Sequence, residues 1–436
     1  MFGLVVALVT LAPPPPTPAH GDTTYKQLEL FARVLSYVEN NYVETVDQQS
    51  LMYGAIKGML ETLDPHTVFM PPDVFKEMKI DTSGEFGGLG IEIARKNDGI
   101  VVVAPIDDTP AQRAGIKSGD QILKIDDESC RNMELARAIQ KMRGPAGKKV
   151  MLTIMREGFS QPREFAIIRD HIRIASVEGA LYGGVGYVKV KNFQERTDLS
   201  LHKELERLRG LNGNRELRGL VVDLRNNPGG LLEQAVAVSD RFLPGNLTIV
   251  STRGRQASNF TEEKSKERDT EKPYPMVVLV NAGSASASEI VAGALQDHQR
   301  AVILGTPTFG KGSVQTVIEM EDGSGLKLTI ARYYTPRGRS IQERGISPDF
   351  VVGETENGPQ AKSEQLREKD LKRHFKNEAE AEAAAEEAPL LKVNLPEGLK
   401  TWDVTDKMQD YQLKVALNYL NGANAPGRVT AKAPTR

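Results

Sequence analysis

The serine-rich segment after a short apolar stretch is the first place where this sequence could perform chemistry. Residues 276–280, Met-Val-Val-Leu-Val, are typical of a buried strand, and Ser284, Ser286 and Ser288 follow it. A helical pattern begins at once, so a serine side chain is expected at a helix N-terminus, where unpaired backbone N–H groups point toward any oxyanion that forms. The alternative is that these serines only cap the helix.

Two further segments favour chemistry over capping. Residues 308–312, Thr-Phe-Gly-Lys-Gly, place Lys311 between two glycines and near an aromatic ring, just after a predicted strand. Residues 223–230, Asp-Leu-Arg-Asn-Asn-Pro-Gly-Gly, form a tight turn after another predicted strand, where glycine permits close approach of the backbone to a ligand. Because α/β proteins place their sites at the strand ends of the sheet, the three segments are expected to meet there.

Strands and helices alternate through this region, which predicts an α/β core with a largely parallel sheet. The predicted strands are 185–190, 219–224, 276–280 and 301–304, and the predicted helices are 199–209, 231–241 and 288–299. Earlier in the chain, apolar residues at three-to-four spacing over 24–63 predict a helical hairpin, which the turn at Asp64-Pro65-His66 ends. His66 is assigned to the turn rather than to catalysis.

The region from about residue 84 to residue 170 has short apolar runs between Gly and Asp turns, which predicts a small β-rich domain with one helix at about 134–142. Within it, residues 110–125 resemble the signature of PDZ domains, whose carboxylate-binding loop is matched by Gly88, Leu89, Gly90 and Ile91. Adjacent glycines let successive N–H groups form a nest for a terminal carboxylate, and the neighbouring strand edge can pair with the peptide. The alternative is a β module with only a structural role.

The chain from about residue 24 to residue 352 resembles the carboxyl-terminal processing proteases, which are PDZ-containing serine peptidases with a Ser-Lys dyad. The matching motifs include residues 334–341, Tyr-Thr-Pro-Arg-Gly-Arg-Ser-Ile, and residues 345–349, Gly-Ile-Ser-Pro-Asp. In that family the middle serine of Ser-Ala-Ser-Ala-Ser is the nucleophile, the lysine of Phe-Gly-Lys-Gly is the base, and a glutamine four residues later orients the lysine. These roles fall on Ser286, Lys311 and Gln315, with Lys311 25 positions after Ser286, as in the family's motif.

The resemblance also implies a core with the fold of the Clp peptidases and the crotonases, an inserted PDZ domain and flanking helical segments. The family's oxyanion donors fall on the backbone N–H groups of Gly230 and Ala287. The implied substrates are proteins with free C-termini, and no cofactor is expected. Some relatives need a helical-repeat lipoprotein adaptor, and the sequence leaves open whether this chain does.

The residue types suit this chemistry. A serine hydroxyl is a weak nucleophile near neutral pH and needs a base. A lysine with an ordinary pKa of about 10.4 can serve only if desolvation lowers its pKa by about 3 units, and Phe309 and Val314 are available for this. If the segment after Lys311 is a strand, Lys311 and Gln315 share a face, so the Gln315 amide can hold the neutral amine.

Other polar residues fit catalysis less well. His298 is twelve positions along the same predicted helix, which is roughly 18 Å from Ser286. Glu289 suits a cap in the first helical turn, and Asp223 is expected to fix the glycine turn. The single cysteine, Cys130, is expected to be packed, which excludes a disulfide framework or a cysteine-rich zinc site. Since the six histidines contain no His-x-x-x-His pair, no metal site is expected.

Composition is that of a folded protein. The chain has 436 residues, of which 39% are apolar, so roughly two to four domains are expected. A formal net charge of −2 disfavours nucleic-acid binding. The apolar run at 2–11 and the small residues up to Ala19 are typical of a signal peptide, although no Lys or Arg precedes Lys26. Export to the periplasm is expected; a stable transmembrane span is disfavoured, and membrane association through an uncleaved anchor stays open.

The predicted organisation follows from these segments. It comprises a signal peptide (1–19), an N-terminal helical hairpin (24–80), a PDZ domain (84–170), a serine peptidase core (176–352), a charged linker (353–389) and a C-terminal helical segment (390–436). The last segment contains an amphipathic helix that can dock on its own chain or on a partner. This helix and the N-terminal hairpin together favour a homo-oligomer.

The favoured function is a serine endopeptidase that captures protein C-termini in its PDZ domain and cleaves through an acyl-enzyme. One alternative is a catalytically silent PDZ scaffold or adaptor for exported proteins, which the intact Ser286, Lys311 and Gln315 disfavour. A second alternative is a relative of the acyl-CoA hydratases and isomerases. The PDZ signature and the Lys311 motif disfavour it, because neither serves thioester chemistry.

Overall fold

The computed structural model describes residues 20–96, 99–266, 269–356, 366–377, 405 and 408–423. The chain divides into two units, the first ending at Leu60 and the second beginning at Glu61. The expected signal peptide at 1–19 lies outside the described residues.

The first unit contains two helices, α1 His20–Asn41 and α2 Gln48–Leu60, where the sequence predicts a helical hairpin. Leu28, Phe31 and Val34 recur at the helical spacing that places them on one face of α1. They are nevertheless 58%, 42% and 53% exposed. The first unit therefore presents an apolar face to solvent in the single chain.

The second unit begins with a short strand and a helix, β1 Val68–Met70 and α3 Pro72–Ser83. Proline suits the first turn of α3, because the N–H that it lacks would have no partner within the helix. Gly84 ends α3 with a left-handed backbone, φ 67°, and its N–H donates to the Ile80 carbonyl at 2.9 Å. The chain then enters the β-rich domain.

The β-rich domain contains the strands and the helix that the sequence predicts. Its elements are β2 Glu85–Gly88, β3 Ile91–Lys96, β4 Gly99–Pro105, α4 Pro110–Arg113, β5 Gln121–Ile125, β6 Glu128–Ser129, α5 Leu135–Met142, β7 Lys149–Met155, β8 Arg163–Ile168 and β9 Asp170–Arg173. An antiparallel sheet runs in the order β3-β4-β5-β7-β8, and β2 pairs with β9. Alternate residues of β7, namely Val150, Leu152 and Ile154, are fully buried, as a strand with one face on a core requires.

The α/β core follows the β-rich domain. Its elements are β10 Val177–Tyr182, β11 Val185–Val190, α6 Thr197–Leu211, β12 Gly219–Asp223, α7 Leu232–Asp240, β13 Thr248–Gly254, β14 Phe260–Lys264, β15 Met276–Val280, α8 Ala287–Asp297, β16 Val302–Gly305, β17 Ser313–Glu319, β18 Gly325–Tyr334 and β19 Phe350–Val351. One sheet has the order β10-β11-β12-β15-β16-β19 and is parallel from β11 to β19. The expected α/β core with a largely parallel sheet is confirmed.

This parallel sheet is covered on both faces. Val222 of β12 and Val278 of β15 lie in the cluster that includes the apolar residues of α6, α7 and α8. Their neighbours Val221 and Val277 point to the opposite face and pack with the last helix, α9 Tyr411–Ala423. Burial on both faces explains why these strands are continuous apolar runs.

A second sheet, which the apolar pattern of the sequence does not predict, shares the buried cluster of α6, α7 and α8. It has the order β1-β18-β13-β14, and β17 pairs with β18. All five residues of β14, Phe-Thr-Glu-Glu-Lys, are exposed, so no apolar run marks that strand. Because β1 precedes the β-rich domain in sequence and pairs with β18, the β-rich domain is an insertion into the core.

The last helix docks on its own chain, which answers a question that the sequence left open. Leu413, Leu417 and Leu420 of α9 are at most 5% exposed. At the start of this segment, the Arg225 guanidinium lies 2.6 Å from an Asp410 carboxylate oxygen. The apolar face of α9 is therefore occupied within the chain, and the expected contribution of this helix to self-association is wrong.

Part of the predicted charged linker is folded. Residues 366–377 include a 3₁₀ turn at Glu368–Asp370, and Glu368 and Asn377 are 0% and 2% exposed. The expectation of a solvated linker over 353–389 is wrong here, because hydrogen bonds bury these polar side chains without large apolar residues. The remainder of the linker, 357–365 and 378–389, lies outside the described residues.

Truncation of Leu417 should destabilise the α/β core. Leu417→Ala removes a fully buried side chain between α9 and the sheet, so we expect a loss of about 2–5 kcal/mol in the free energy of unfolding. Urea unfolding followed by circular dichroism measures this loss. Lys414→Ala, on a partly exposed position of the same helix, is the matched control. Equal stabilities of the two variants would contradict the packing role of α9.

Candidate active site

Ser286 occupies the sharp turn between β15 and α8. Its backbone angles, φ 55° and ψ −112°, lie outside the regions that non-glycine residues prefer. Such strain persists only where the surroundings fix it, and it clusters at functional sites. The turn places Ser286 at the N-terminal end of α8, where the sequence predicts it, with 8% of the residue exposed.

The 223–230 turn packs directly against the Ser286 turn. The Asn227 carbonyl accepts a hydrogen bond from the Ser288 hydroxyl at 2.9 Å. A Cβ atom on Gly229 would lie 2.9 Å from Ser286 Cβ, closer than real Cβ atoms approach. The absence of a side chain at Gly229 therefore permits the contact, and two of the three predicted segments meet as expected.

Gly230 and Ala287, the predicted oxyanion donors, lie on these two adjoining turns. Gly230 has φ 141° and forms a bridge with Phe193, in which the Leu231 N–H donates to the Phe193 carbonyl at 2.7 Å. Neither the Gly230 N–H nor the Ala287 N–H donates a hydrogen bond to another described residue. Both groups are thus available to an acceptor placed beside Ser286.

Lys311 lies in the loop between β16 and β17, and its environment favours the neutral amine. Burial lowers the pKa of Lys311 to about 8, and the nearby Lys327 acts in the same direction. Three carboxylates, those of Glu368, Glu289 and Asp64, oppose this shift. An amine with this pKa is largely unprotonated in mildly alkaline solution, as a general base must be. No hydrogen bond joins Ser286 Oγ to Lys311 Nζ in the described part of the chain.

Gln315 is placed differently from the sequence expectation. The strand begins only at Ser313, and an irregularity between Val314 and Gln315 shifts the register of β17 against β18. The face that a regular strand would share between Lys311 and Gln315 is therefore not maintained. The Gln315 amide donates instead to Ser313 Oγ at 2.9 Å and to Thr329 Oγ1 at 3.3 Å.

Glu289 does more than the predicted helix cap. Its carboxylate accepts from the Ser286 N–H at 2.7 Å, as a cap does. It also accepts from the N–H groups of Gly310 at 2.7 Å and Lys311 at 3.0 Å, and from Thr308 Oγ1 at 2.5 Å. One fully buried carboxylate thus ties the Ser286 turn to the lysine loop. Burial raises the pKa of Glu289 to about 7, and these hydrogen bonds limit the rise.

Tyr333 is a residue near Ser286 that was not expected from the sequence. It belongs to β18, in the unpredicted sheet, and its N–H donates to the Gly312 carbonyl at 2.7 Å. Burial raises the pKa of the Tyr333 hydroxyl to about 12, and a hydrogen bond with the Ser286 side chain opposes the rise. The sequence Tyr-Tyr-Thr-Pro-Arg at residues 333–337 marks this segment, but it does not show that the Tyr333 side chain points toward Ser286.

The Asp64–Thr67 turn, which the sequence assigns only to ending a helix, contacts the lysine region. Asp64 accepts hydrogen bonds from Thr67 Oγ1 at 2.6 Å and from Thr329 Oγ1 at 3.1 Å. Thr329 is also the residue to which Gln315 donates. This buried polar network connects the segment before the β-rich domain to the strand that carries Gln315.

The predicted carboxylate-binding loop, residues 88–91, joins β2 to β3. Gly90 has φ 75°, and a Cβ atom there would lie 2.3 Å from Thr109 Cβ. The Gly90 carbonyl accepts from the Ile106 N–H at 2.9 Å. Leu89 is 2% exposed, and its carbonyl accepts from the Ala111 N–H at 2.9 Å. Hydrogen bonds from residues 106 and 111 therefore hold the 88–91 loop.

The remaining candidates have structural partners. His298 Nε2 contacts the Thr248 carbonyl at 2.6 Å, and Asp223 binds the Arg225 guanidinium at 2.6 Å. Cys130 is 1% exposed, and burial raises the pKa of its thiol to about 11, which suits a packed residue. Across the described ranges, no group of three or more His, Cys, Asp or Glu is placed to hold a metal ion. Among those residues, no helix combines the length and the apolar character needed to cross a membrane.

Comparisons with known proteins agree with this architecture. Residues 184–352 match the model of peptidase family S41, residues 77–155 match the PDZ domain, and residues 15–74 match the N-terminal domain of the activating protease CtpB. The carboxy-terminal-processing protease of Bartonella bacilliformis is 43% identical over 92% of this chain and 89% of its own length. The carboxyl-terminal-processing protease of Synechocystis is 39% identical over 69% of this chain and 70% of its own length.

The fold and the matched domains define a serine-type peptidase with an inserted PDZ domain. The chain belongs to the carboxy-terminal processing proteases of peptidase family S41. The family resemblance stated from the sequence and the expected enzyme class are both confirmed.

Proposed function

We propose that this chain is a serine endopeptidase that captures the C-terminus of a protein in its PDZ domain and cleaves that protein with Ser286 and Lys311. The observation that carries the proposal is the placement of a partly buried lysine of lowered pKa on a loop tied to the Ser286 turn. Glu289 makes that tie through the Ser286 N–H and the Lys311 N–H. A solvated surface lysine would stay protonated at the same pH.

In the proposed first step, the neutral Lys311 amine takes the proton of the Ser286 hydroxyl as Ser286 Oγ attacks the scissile carbonyl. The N–H groups of Gly230 and Ala287 stabilise the oxyanion of the tetrahedral intermediate, a contribution of about 3 kcal/mol per donor. Lys311 then returns the proton to the leaving amine, and an acyl-enzyme forms. Approach of Lys311 Nζ to Ser286 Oγ belongs to the substrate-bound state, because catalytic hydrogen bonds often tighten only there.

In the second step, Lys311 takes a proton from water, and the hydroxide oxygen attacks the ester of Ser286. Collapse of the second tetrahedral intermediate releases the new C-terminus, and the proton on Lys311 returns to Ser286 Oγ. Tyr333 contributes by holding the Ser286 side chain in place. Gln315 contributes through Thr329 and Ser313, on which the start of β17 rests.

Capture of the substrate is proposed for the 88–91 loop. N–H groups of a glycine-rich loop favour a terminal carboxylate, and the edge of β3 can add the peptide as a further strand. The silent-scaffold alternative would use the same loop and leave Ser286 idle. The coenzyme A alternative predicts binding of coenzyme A to the purified protein, a measurement that separates the two enzyme classes.

Location and assembly form part of the proposal. The apolar run at 2–11 supports export to the periplasm. The exposed apolar face of α1 supports a homo-oligomer formed through the first unit, since such faces commonly become interfaces. A lipoprotein adaptor is retained as a partner that could complete the active state.

Blocking the substrate carboxylate tests the proposed capture. Cleavage of an unfolded protein with a free C-terminus should be about 10- to 100-fold faster than cleavage of the same protein with an amidated C-terminus, since a charge-assisted hydrogen-bond set is lost. Fragment release followed by mass spectrometry measures both rates. The Ser286→Ala variant, purified identically, reports any contaminating protease. Equal rates for the two substrates would contradict carboxylate capture.

A further inference from the structure

A folded segment beyond the matched peptidase region packs on the lysine loop. We call residues 366–377 the strap; the match to the peptidase family ends at residue 352. The Glu368 N–H donates to the Phe309 carbonyl at 3.1 Å, and Arg367 Nε donates to the Thr308 carbonyl at 3.1 Å. The backbone that presents Lys311 is therefore held from the strap side.

Glu368 is the buried acidic residue of the strap. Its carboxylate contacts His66 Nε2 at 2.8 Å and accepts from Gln342 Nε2 at 3.0 Å. The Oε1 atom of the same Gln342 accepts from the Gly312 N–H at 3.0 Å. A continuous set of hydrogen bonds thus leads from His66 through Glu368 and Gln342 to the residue after Lys311.

Several charged groups surround the Lys311 amine. Lys327, Glu289, Asp64 and Glu368 act on the Lys311 amine, and His66 faces Glu368. Glu289 is committed to four hydrogen-bond donors, and Asp64 is committed to the hydroxyls of Thr67 and Thr329. Among the three carboxylates, Glu368 alone comes from the segment beyond the family match.

We propose that Glu368 is a positioning residue for Lys311: it holds the 308–312 loop and sets a buried negative charge beside the amine. The inference rests on the proposed role of Lys311 as the base. A carboxylate in this place favours the protonated amine. The neutral amine that the proposed mechanism requires is therefore populated only at higher pH, and activity should need more alkaline conditions.

The substitution Glu368→Gln removes the negative charge of residue 368 and keeps the size of its side chain. Glutamine has the size of glutamate, its Oε1 can still accept from Gln342, and its Nε2 can donate to a neutral His66. We expect the pKa of Lys311 to fall by about half a unit or more, since one opposing charge is lost. Asp370→Asn, an exposed residue two positions along the strap, makes the same change in formal charge and is the matched control.

Chemical labelling measures the protonation of the Lys311 amine independently of catalytic activity. The pH at which acetic anhydride labels half of Lys311 is measured by mass spectrometry in the Ser286→Ala protein, alone and combined with Glu368→Gln or Asp370→Asn. We expect the half-labelling pH to fall with Glu368→Gln and to stay unchanged with Asp370→Asn. A half-labelling pH that is the same in all three proteins, or that rises with Glu368→Gln, would overturn the inference.

A second variant tests the inference if the Glu368→Gln protein does not fold. If Glu368→Gln loses its cooperative thermal unfolding, Glu368→Asp keeps a carboxylate but withdraws it from the lysine loop by one methylene group, and the half-labelling pH must then fall by a smaller amount. A half-labelling pH that does not fall would overturn the inference. The proposed function fails separately, through cleavage activity that survives Lys311→Ala, a result that leaves the labelling comparison intact.

Discussion

Replacing Ser286 by alanine is expected to lower kcat/KM for an unfolded protein substrate by about 10⁴-fold or more, because the Ser286 hydroxyl is the group on which the proposed acyl-enzyme forms. The protein should remain folded, since the change removes only a hydroxyl that contacts Tyr333. Initial rates of fragment release, together with the midpoint of thermal unfolding, measure both effects. Cleavage within 10-fold of the wild-type rate would exclude Ser286 as the nucleophile.

Lys311→Ala should cause a loss of similar size, and Lys311→Arg distinguishes a base from a mere cation. Arginine keeps a positive charge but has a pKa above about 12, so it cannot accept the serine proton. The pH dependence of the wild-type enzyme tests the same role. Its kcat/KM should rise as pH increases through about 8, where Lys311 loses its proton. Substantial activity in Lys311→Arg would show that Lys311 supplies charge only.

Gly230→Ala is expected to lower kcat by about 10²- to 10³-fold, the typical cost of losing one oxyanion donor. The Cβ atom of alanine would lie 2.2 Å from the Phe193 carbonyl oxygen, a backbone atom that also accepts from the Leu231 N–H and cannot move aside without breaking that bridge. The backbone angle φ 141° adds further strain for any residue with a side chain. Steady-state kinetics should show the loss mainly in kcat, because the donor acts on the transition state.

Gly338→Ala is the matched control for Gly230→Ala. Gly338 lies in the same core and also has a positive φ, 76°, but a Cβ atom there would meet nothing within 4 Å. It should therefore cost about 1 kcal/mol of stability and leave kcat close to the wild-type value. A similar loss of kcat in both glycine variants would show that backbone strain, rather than the oxyanion donor, explains the effect.

The parallel sheet and the β-rich domain were predictable because their strands are apolar on one face or on both. Strands β11 and β15 have the predicted bounds. The second sheet was not predictable from the same signal, since β14 is fully exposed and β17 is bent by an irregular register. Its pairing of β1 with β18 joins segments that lie on either side of an inserted domain, and local periodicity carries no information on such partners.

The motifs of the sequence name candidate residues for the site, but they do not give the contacts between those residues, which depend on the three-dimensional arrangement of the loops. Glu289 could be recognised as a cap, but its contacts with the lysine loop depend on how two strand ends meet. The prediction that Lys311 and Gln315 point to the same face does not hold, because the alternation of side chains requires an unbroken strand, and β17 begins only at Ser313. The strap was missed because its buried residues are polar, and a charged sequence with few large apolar side chains is typical of a solvated linker.

The contact between His66 and Glu368 joins residues that are 302 positions apart. During synthesis the chain emerges from its N-terminus, so Ser286 and Lys311 are made before the strap that braces the lysine loop. A chain that has been made only as far as Lys311 therefore holds Ser286 and Lys311 without that brace. The proposed cleavage then requires that residues 366–377 have also been made and folded, which delays activity while the chain is still folding.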